Sequence, residues 1–256
     1  MRHAIGFFVL LLLPAGALLL PRKAALHFAA AASNRFLLPQ LRCVAPTSKS
    51  MTRIELLSKI SEALRTPTLP PVRADDMMRL ELLDSLLDQL CCLNPTIQPG
   101  STRSFAPIAT GRWRVAFAPH IIKLSALGYV TFDPILYVLN AQGGIESNVQ
   151  YKWLGGVHGW LSTRGRYGSR DEDEVSFVEW DEAWWNPGAA VPTASPADGA
   201  FASIVSALGD AGFVSAFANF PVKYLDRDVC IFEFPLSGTR IMAVREGGSL
   251  DVWRGQ

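Results

Sequence analysis

Between residues 52 and 93, apolar side chains recur every three or four positions, which is the spacing of one face of a helix. Two such series stand in this stretch: Ile54, Leu57, Ile60 and Leu64, then Leu83, Leu86, Leu87 and Leu90. Thr52 and Glu55 have the spacing of a capping box at the start of the first series. Asn94-Pro95 ends the second series because proline pushes the residue before it out of the helical region. The pattern predicts two helices, and the breadth of the second stripe favours packing on the rest of the domain over binding a partner.

From Gly111 onward the pattern changes to alternation, the period of a half-buried strand. In the first alternating run, Trp113, Val115 and Phe117 share one face. Further apolar runs predict strands over residues 129–139, 145–153, 157–167, 175–185, 224–234, 239–245 and 249–253, with a short helix over 200–208. Pro134 predicts a bulge or a break inside the second strand. Short strands separated by frequent turns are typical of a barrel or a sandwich.

The run from residue 229 to residue 234 is apolar on both faces. Val229 and Ile231 lie on one face of the predicted strand, and Cys230, Phe232 and Phe234 lie on the other. A strand of this kind is covered on both sides. We therefore expect one layer of structure inside the sheet here and another outside it.

Charge divides the chain into a leader and an acidic domain. Residues 1 to 53 hold seven of the 24 basic side chains and no acidic one, which leaves 17 basic against 23 acidic side chains, a net charge of −6. An acidic domain does not attract nucleic acid, so that class of partner is excluded. The apolar run of residues 4–20 is broken by Pro14, and its unbroken core is too short to span a bilayer. It predicts a signal peptide in preference to a retained anchor.

Residues 21–50 are rich in alanine, arginine and serine and lack acidic side chains, which is a transit-peptide composition. A signal peptide followed by a transit peptide resembles the two-step address of algae with complex plastids. We therefore expect residues 1–50 to be a cleavable leader and residues 51–256 to be the functional domain.

The domain carries few residues arranged for chemistry. Only His120 and His158 remain outside the leader, and the common hydrolase, metalloprotease and nucleotide-binding motifs are missing from the sequence. Cys91, Cys92 and Cys230 show neither disulfide nor metal spacing and predict buried thiols. The sequence predicts a protein that is not an enzyme and that needs no metal or redox cofactor.

Two places could still hold a reactive group. His158 stands among glycines, which favours a tight turn over a close approach to a ligand. Asp226 and Asp228 are two apart on a predicted strand, so both carboxylates should point to the same side. We favour a pair that backbone groups or arginine satisfy over a catalytic pair.

Trp184 and Trp185 are adjacent, so they cannot both point into a barrel. An indole at the outside suits a membrane interface, where the ring is apolar and the N–H is wet. Packing beneath a flexible loop over residues 189–199 is an equal alternative. The first reading gives the hypothesis that this end of the domain touches a lipid surface.

Four short motifs together resemble those of the plastid lipid-associated protein family, also called fibrillins. They are Asn94-Pro95-Thr96 with Pro99, Gly111-x-Trp113, the strand from Val175 and Phe177 to Asn186-Pro187-Gly188, and Tyr224-Leu225-Asp226-x-Asp228. The resemblance covers about residues 52–247. It implies an α+β fold, an antiparallel lipocalin-like β-barrel with two N-terminal helices packed against it. In such barrels an arginine near the end packs across the first-strand tryptophan, and Arg240 or Arg245 could take that place.

The resemblance also implies a plastid protein at plastoglobules or thylakoids that binds or sequesters an apolar lipid or isoprenoid. Its partners would be that ligand and a peripheral lipid surface. The residues expected to line the ligand cavity are Trp113, Phe117, Tyr151, Trp153 and Phe177. The alternatives are a structural coat of lipid globules without an internal ligand and, less favoured, a lipid-acting enzyme that uses His158 or the Asp226 and Asp228 pair.

Overall fold

The structure is a computed structural model, and it describes residues 51–65, 74–128, 130–153, 156–170, 175–186, 188, 219–234 and 238–250. The helices among these residues are α1 (Arg53–Leu64), α2 (Ala74–Cys92), α3 (Thr102–Ala109) and α4 (Pro119–Gly128). The strands are β1 (Gly111–Phe117), β2 (Val130–Leu139), β3 (Gly144–Trp153), β4 (His158–Arg170), β5 (Val175–Asn186), β6 (Asn219–Leu225), β7 (Val229–Phe234) and β8 (Thr239–Arg245).

Each strand pairs with the next in antiparallel fashion, and β1 pairs with β8 to close the sheet. An antiparallel barrel with helices is therefore the architecture of this domain.

The capping box predicted at Thr52 is present, since its hydroxyl accepts from the Glu55 N–H and the Glu55 carboxylate accepts from the Thr52 N–H. Near Pro134 the register of β2 and β3 shifts between Phe132 and Ile135, which is the bulge expected there.

Several predicted boundaries were wrong. The single strand over residues 224–234 is two strands, because the carboxylate of Asp226 accepts from the backbone N–H groups of Asp228 and Val229 and makes a tight turn. Ser249 and Leu250 lie in turns and not in a strand. Helices α3 and α4 were not predicted, since short apolar runs do not distinguish helix from strand. The loop predicted over residues 189–199 and the helix over 200–208 lie outside the described residues.

Strands β7 and β8 have an apolar core on each face. Outside the barrel, α1 and α2 pack on Val229, Ile231 and Met242 through leucines and isoleucines such as Leu87. Inside it, Cys230 belongs to a second core that includes Trp113 and residues of α3. The prediction that this segment is covered on both sides is confirmed.

Arg240 ties α2 to the outer face of β8. Its guanidinium is almost fully buried, donating from Nε to Asp88 at 2.9 Å and from an Nη to Glu233 at 2.5 Å. The backbone N–H of Arg240 donates to Asp84 on the same helix at 3.3 Å. A buried charge is stable only when it is paired in this way. These contacts fix the position of α2 on the barrel.

At the start of α4, His120 is enclosed by the fold. Its ring stacks on Phe234 with 4.2 Å between centroids. Its Nδ1 has no hydrogen-bond partner among the residues that the structure describes. Burial lowers the pKa of His120 to about 4, so the neutral ring is the form that fits the folded protein.

This burial predicts a pH dependence of stability. The fold favours the neutral ring of His120. The stability of the folded protein that depends on this neutral ring is fully present above the unfolded-state pKa of about 6.5, and it is lost as pH falls towards 4. We expect the free energy of unfolding to drop across that window by at most about 3 kcal/mol from this residue. Urea unfolding of the wild type and of His120→Phe between pH 8 and pH 4 measures it. The difference between their curves should grow on acidification, whereas exposed His158→Gln should follow the wild type. Parallel curves for wild type and His120→Phe would contradict the assignment.

Candidate ligand-binding site

An apolar pocket lies inside the barrel. Its described lining is aromatic and aliphatic apart from one thiol, and consists of Phe105, Ala109, Trp113, Tyr137, Leu139, Ile145, Tyr167, Val178, Trp180, Phe220, Val222, Cys230, Phe232 and Ala243. The space in which the centre of a water molecule fits measures about 80 Å³. Since about 10–15 Å³ of such space holds one water, the pocket can take part of a slender apolar molecule.

Trp113 and α3 border the pocket, and Arg245 packs against both. The indole N–H of Trp113 donates to the carbonyl of Ala109 at 2.7 Å. The guanidinium of Arg245 lies over the indole at 4.3 Å from the ring centroid, which is a cation–π contact. It also donates to the backbone carbonyls of Ile108 and Thr110. Of the two arginines considered for this closure, Arg245 is the one that packs across Trp113.

The glycine of the Gly-x-Trp motif has a physical role in this closure. Gly111 has φ of +138°, and a Cβ placed there would come within 2.1 Å of an Nη of Arg245. A side chain at this position would therefore displace the guanidinium from Trp113. In the Gly-x-Trp motif, Trp113 therefore provides the ring on which Arg245 of the last strand packs, and Gly111 leaves room for the guanidinium.

We expect Gly111→Ala to destabilise the protein more than a positive φ alone explains. Gly156→Ala is the matched control, because Gly156 has φ of +79° but open space around its Cβ position. The control should cost about 1 kcal/mol of strain, and Gly111→Ala about 2 kcal/mol more through the displaced charged hydrogen bonds. Chemical denaturation of both variants gives the comparison. Equal losses would show that the contact with Arg245 does not matter.

Of the five aromatic residues expected to line a cavity, the structure places one at the pocket. Trp113 borders it, whereas Phe117 packs outside the barrel under α1 and α2. The cause is a bulge in β1 between Val115 and Phe117, which turns Phe117 to the other face. The prediction for Phe117 was therefore wrong, because simple alternation does not survive an extra residue.

The other three expected residues also lie away from the described lining. Tyr151 is buried beside Gly159, where a Cβ would come within 2.4 Å of its hydroxyl. Trp153 is half-buried at the opposite end of β3 and pairs with Val130. Phe177 is half-buried and precedes Val178, which lines the pocket, so alternation places the two on opposite faces of β5. These three predictions are corrected accordingly.

Sequence reasoning missed most of the lining. Tyr137 and Leu139 on β2, and Val178 and Trp180 on β5, are pairs two residues apart that share the inner face. That spacing was the available signal, although it does not say which face is inside. Phe105 was missed because it lies on the unpredicted helix α3.

Two of the four motifs of the resemblance, Asn94-Pro95-Thr96 and Tyr224-Leu225-Asp226, meet at one end of β6. The Asn94 side-chain carbonyl accepts from the Leu225 N–H at 3.2 Å, and the Thr96 hydroxyl donates to the Leu225 carbonyl at 2.5 Å. Tyr224 donates to the Asp226 carboxylate at 2.6 Å. Arg53 on α1 donates to both Tyr224 and Asp226. These residues join α1 and the segment after α2 to the barrel, and they do not border the pocket.

The two places considered for catalysis are structural. Asp226 and Asp228 lie in the turn between β6 and β7, and not on a strand, so the expected same-face pair was wrong. Asp226 accepts four hydrogen bonds or ion pairs, and Asp228 accepts from the Ser249 hydroxyl at 2.5 Å. His158 is exposed, and its Nδ1 lies 3.1 Å from the carbonyl of Gly156 in a tight turn, as favoured from the sequence.

The cysteines differ from one another. Burial raises the pKa of Cys91 and of Cys230 to about 12, so both thiols stay protonated and unreactive at neutral pH. Cys92 is exposed, which corrects the expectation of three buried thiols. No cluster of three potential metal ligands occurs among the described residues.

Trp184 and Trp185 belong to β5, where their backbones pair with Ser162 and Leu161. Their side chains lie outside the part of the chain that the structure describes. The hypothesis of a membrane contact at this pair therefore stays a prediction. Within the described ranges, none of the helices combines the length and the apolar character needed to cross a bilayer.

The chain was compared with known proteins, and it matches no family model and no curated protein.

Proposed function

We propose that this protein binds a slender apolar lipid or isoprenoid inside a lipocalin-like barrel, as a relative of the plastid lipid-associated proteins. The observation that carries the proposal is the pocket itself, whose described walls are almost wholly apolar. Each square ångström of apolar surface that a ligand buries there contributes about 25 cal/mol. A cavity of this composition with few polar groups is typical of a binding site for apolar molecules.

The mode of closure supports a rigid, preformed site. Beside the pocket, Trp113, α3 and Arg245 are joined through a cation–π contact and hydrogen bonds to backbone carbonyls. A wall held in this way changes little when the ligand binds, which lowers the entropic cost of association. The proposal includes a location in a complex algal plastid, at plastoglobules or thylakoids, reached through residues 1–50.

The first test is identification of a bound lipid by mass spectrometry. The protein is incubated with total plastid lipid, purified by gel filtration and extracted with organic solvent. We expect one lipid or isoprenoid class enriched to about one molecule per chain, because one pocket takes one ligand.

Ala243→Leu fills the pocket from β8 and should abolish the enrichment. Val244→Leu is the matched control, because Val244 is the next residue on the strand and packs outside the barrel. Loss of the lipid from both variants, or no enrichment in the folded wild type, would contradict an internal site.

The rival function is a coat on lipid globules. It is favoured by large apolar side chains exposed on α1 and α2, namely Ile54 at 78%, Met78 at 70% and Leu82 at 54% exposure. Such side chains and the tryptophan pair are two separate candidates for contact with a lipid surface.

Flotation with galactolipid vesicles separates these two candidates. If the tryptophan pair makes the contact, Trp184→Ser/Trp185→Ser should abolish flotation while the protein stays folded by circular dichroism. Ile54→Ser/Leu82→Ser should then float like the wild type. Unchanged flotation of the tryptophan variant would end the hypothesis for that pair, and loss in the helix variant would assign the contact to α1 and α2.

A further inference from the structure

We propose that Tyr137 donates a hydrogen bond to an uncharged oxygen of the ligand, so that the pocket selects a neutral lipid with a carbonyl or hydroxyl group over a fatty-acid anion. This inference rests on the proposed function, because it assigns a ligand class to the same pocket.

Tyr137 and Tyr167 both border the pocket, but their hydroxyls are in different states. The hydroxyl of Tyr167 donates to the carbonyl of Asn140 at 2.7 Å and holds the turn between β2 and β3. No described residue is bonded to the hydroxyl of Tyr137. A phenol enclosed by protein usually has a partner, because leaving its hydrogen bond unmade is costly. A ligand oxygen in the pocket would supply that partner.

The ionisation of Tyr137 suits a donor. Burial raises the pKa of its hydroxyl to about 12, so the proton stays on the oxygen at neutral pH. The side chain of Tyr137 is only half-buried, because part of its surface borders the open space of the pocket. Its hydroxyl is therefore a neutral group in an apolar wall.

Tyr137 begins a row of hydroxyl residues across the inner wall. It pairs in register with Ser147 on β3, and Ser147 pairs with Thr163 on β4. Ile145 and Tyr167 line the pocket. Ser147 is two residues from Ile145 on β3, and Thr163 is four residues from Tyr167 on β4, so each shares the inner face of its strand. Directly paired residues have Cβ atoms about 5 Å apart, so the three residues lie at one level of the barrel wall. Of the three, Tyr137 is the one that lines the pocket. This level is where the polar group of a ligand would lie.

The pocket offers nothing to an anion. None of the described lining residues is basic. The guanidinium of Arg245, which packs on the lining residue Trp113, donates to backbone carbonyls. Burying a carboxylate without a paired cation costs far more than burying a carbonyl that receives a hydrogen bond.

Three probes of equal chain length test the selection: 2-tridecanone, tridecane and tridecanoate, titrated at pH 8 against the full chain. Trp113 and Trp180 border the pocket, so tryptophan fluorescence reports occupancy. Wild type should bind the ketone more tightly than the alkane and the carboxylate least. Tyr137→Phe should weaken ketone binding about three- to tenfold, the ratio of one hydrogen bond, and leave alkane binding unchanged.

Tyr167→Phe is the matched control, because it removes a hydroxyl of the same pocket that is already bonded within the protein. It should retain the wild-type ratio of ketone to alkane affinity. Residues 1–50 are identical in every variant, so they cancel in the comparison. If Tyr137→Phe does not fold, the ranking of the three probes on wild type decides alone.

The outcomes separate the inference from the function on which it rests. Equal ketone affinity in wild type and Tyr137→Phe, or tridecanoate binding as tightly as the ketone, overturns the selection while apolar binding stands. Failure of all three probes to bind folded wild type overturns both.

Discussion

The guanidinium of Arg245 makes the contacts that join the first and last strands of the barrel to α3. It joins four separate pieces of the chain: the indole of Trp113 on β1, the carbonyls at the end of α3, the carbonyl of Arg227 in the turn after β6, and its own strand β8. A planar group with several fixed donors can make these contacts at once, which a lysine could not. The absence of a side chain at Gly111 leaves the room that this geometry needs.

The two faces of β7 and β8 differ in how they are packed. Outside, α1 and α2 cover a tightly packed core, and Arg240 with its carboxylate partners on α2 and β7 fixes their position. Inside, the described aromatic and aliphatic side chains leave a space that they do not fill. An unfilled apolar space costs stability. The tightly packed outer core offsets the stability that the unfilled space inside the barrel costs.

Two of the motifs that prompted the resemblance serve the fold. Asn94 and Thr96 hold the end of β6, while Tyr224 and Asp226 receive Arg53 from α1. Polar groups that meet inside a fold must satisfy one another, so such a cluster constrains several residue types together. Motifs of this kind indicate how the helices join the barrel, and they carry little information about the ligand.

The sequence by itself determined α1, α2, most of the strands and the coverage of β7 on both faces. The capping box at Thr52, the strand starting at Gly111 and the two apolar faces of β7 were all readable, because each follows from a local periodicity or a cap. The tertiary structure alone decided which aromatic residues face the pocket. One extra residue at the β1 bulge reverses Phe117, and helix α3 brings in Phe105. Both depend on pairing between distant strands, since a side chain's face is set by register, and local sequence does not specify register across a bulge.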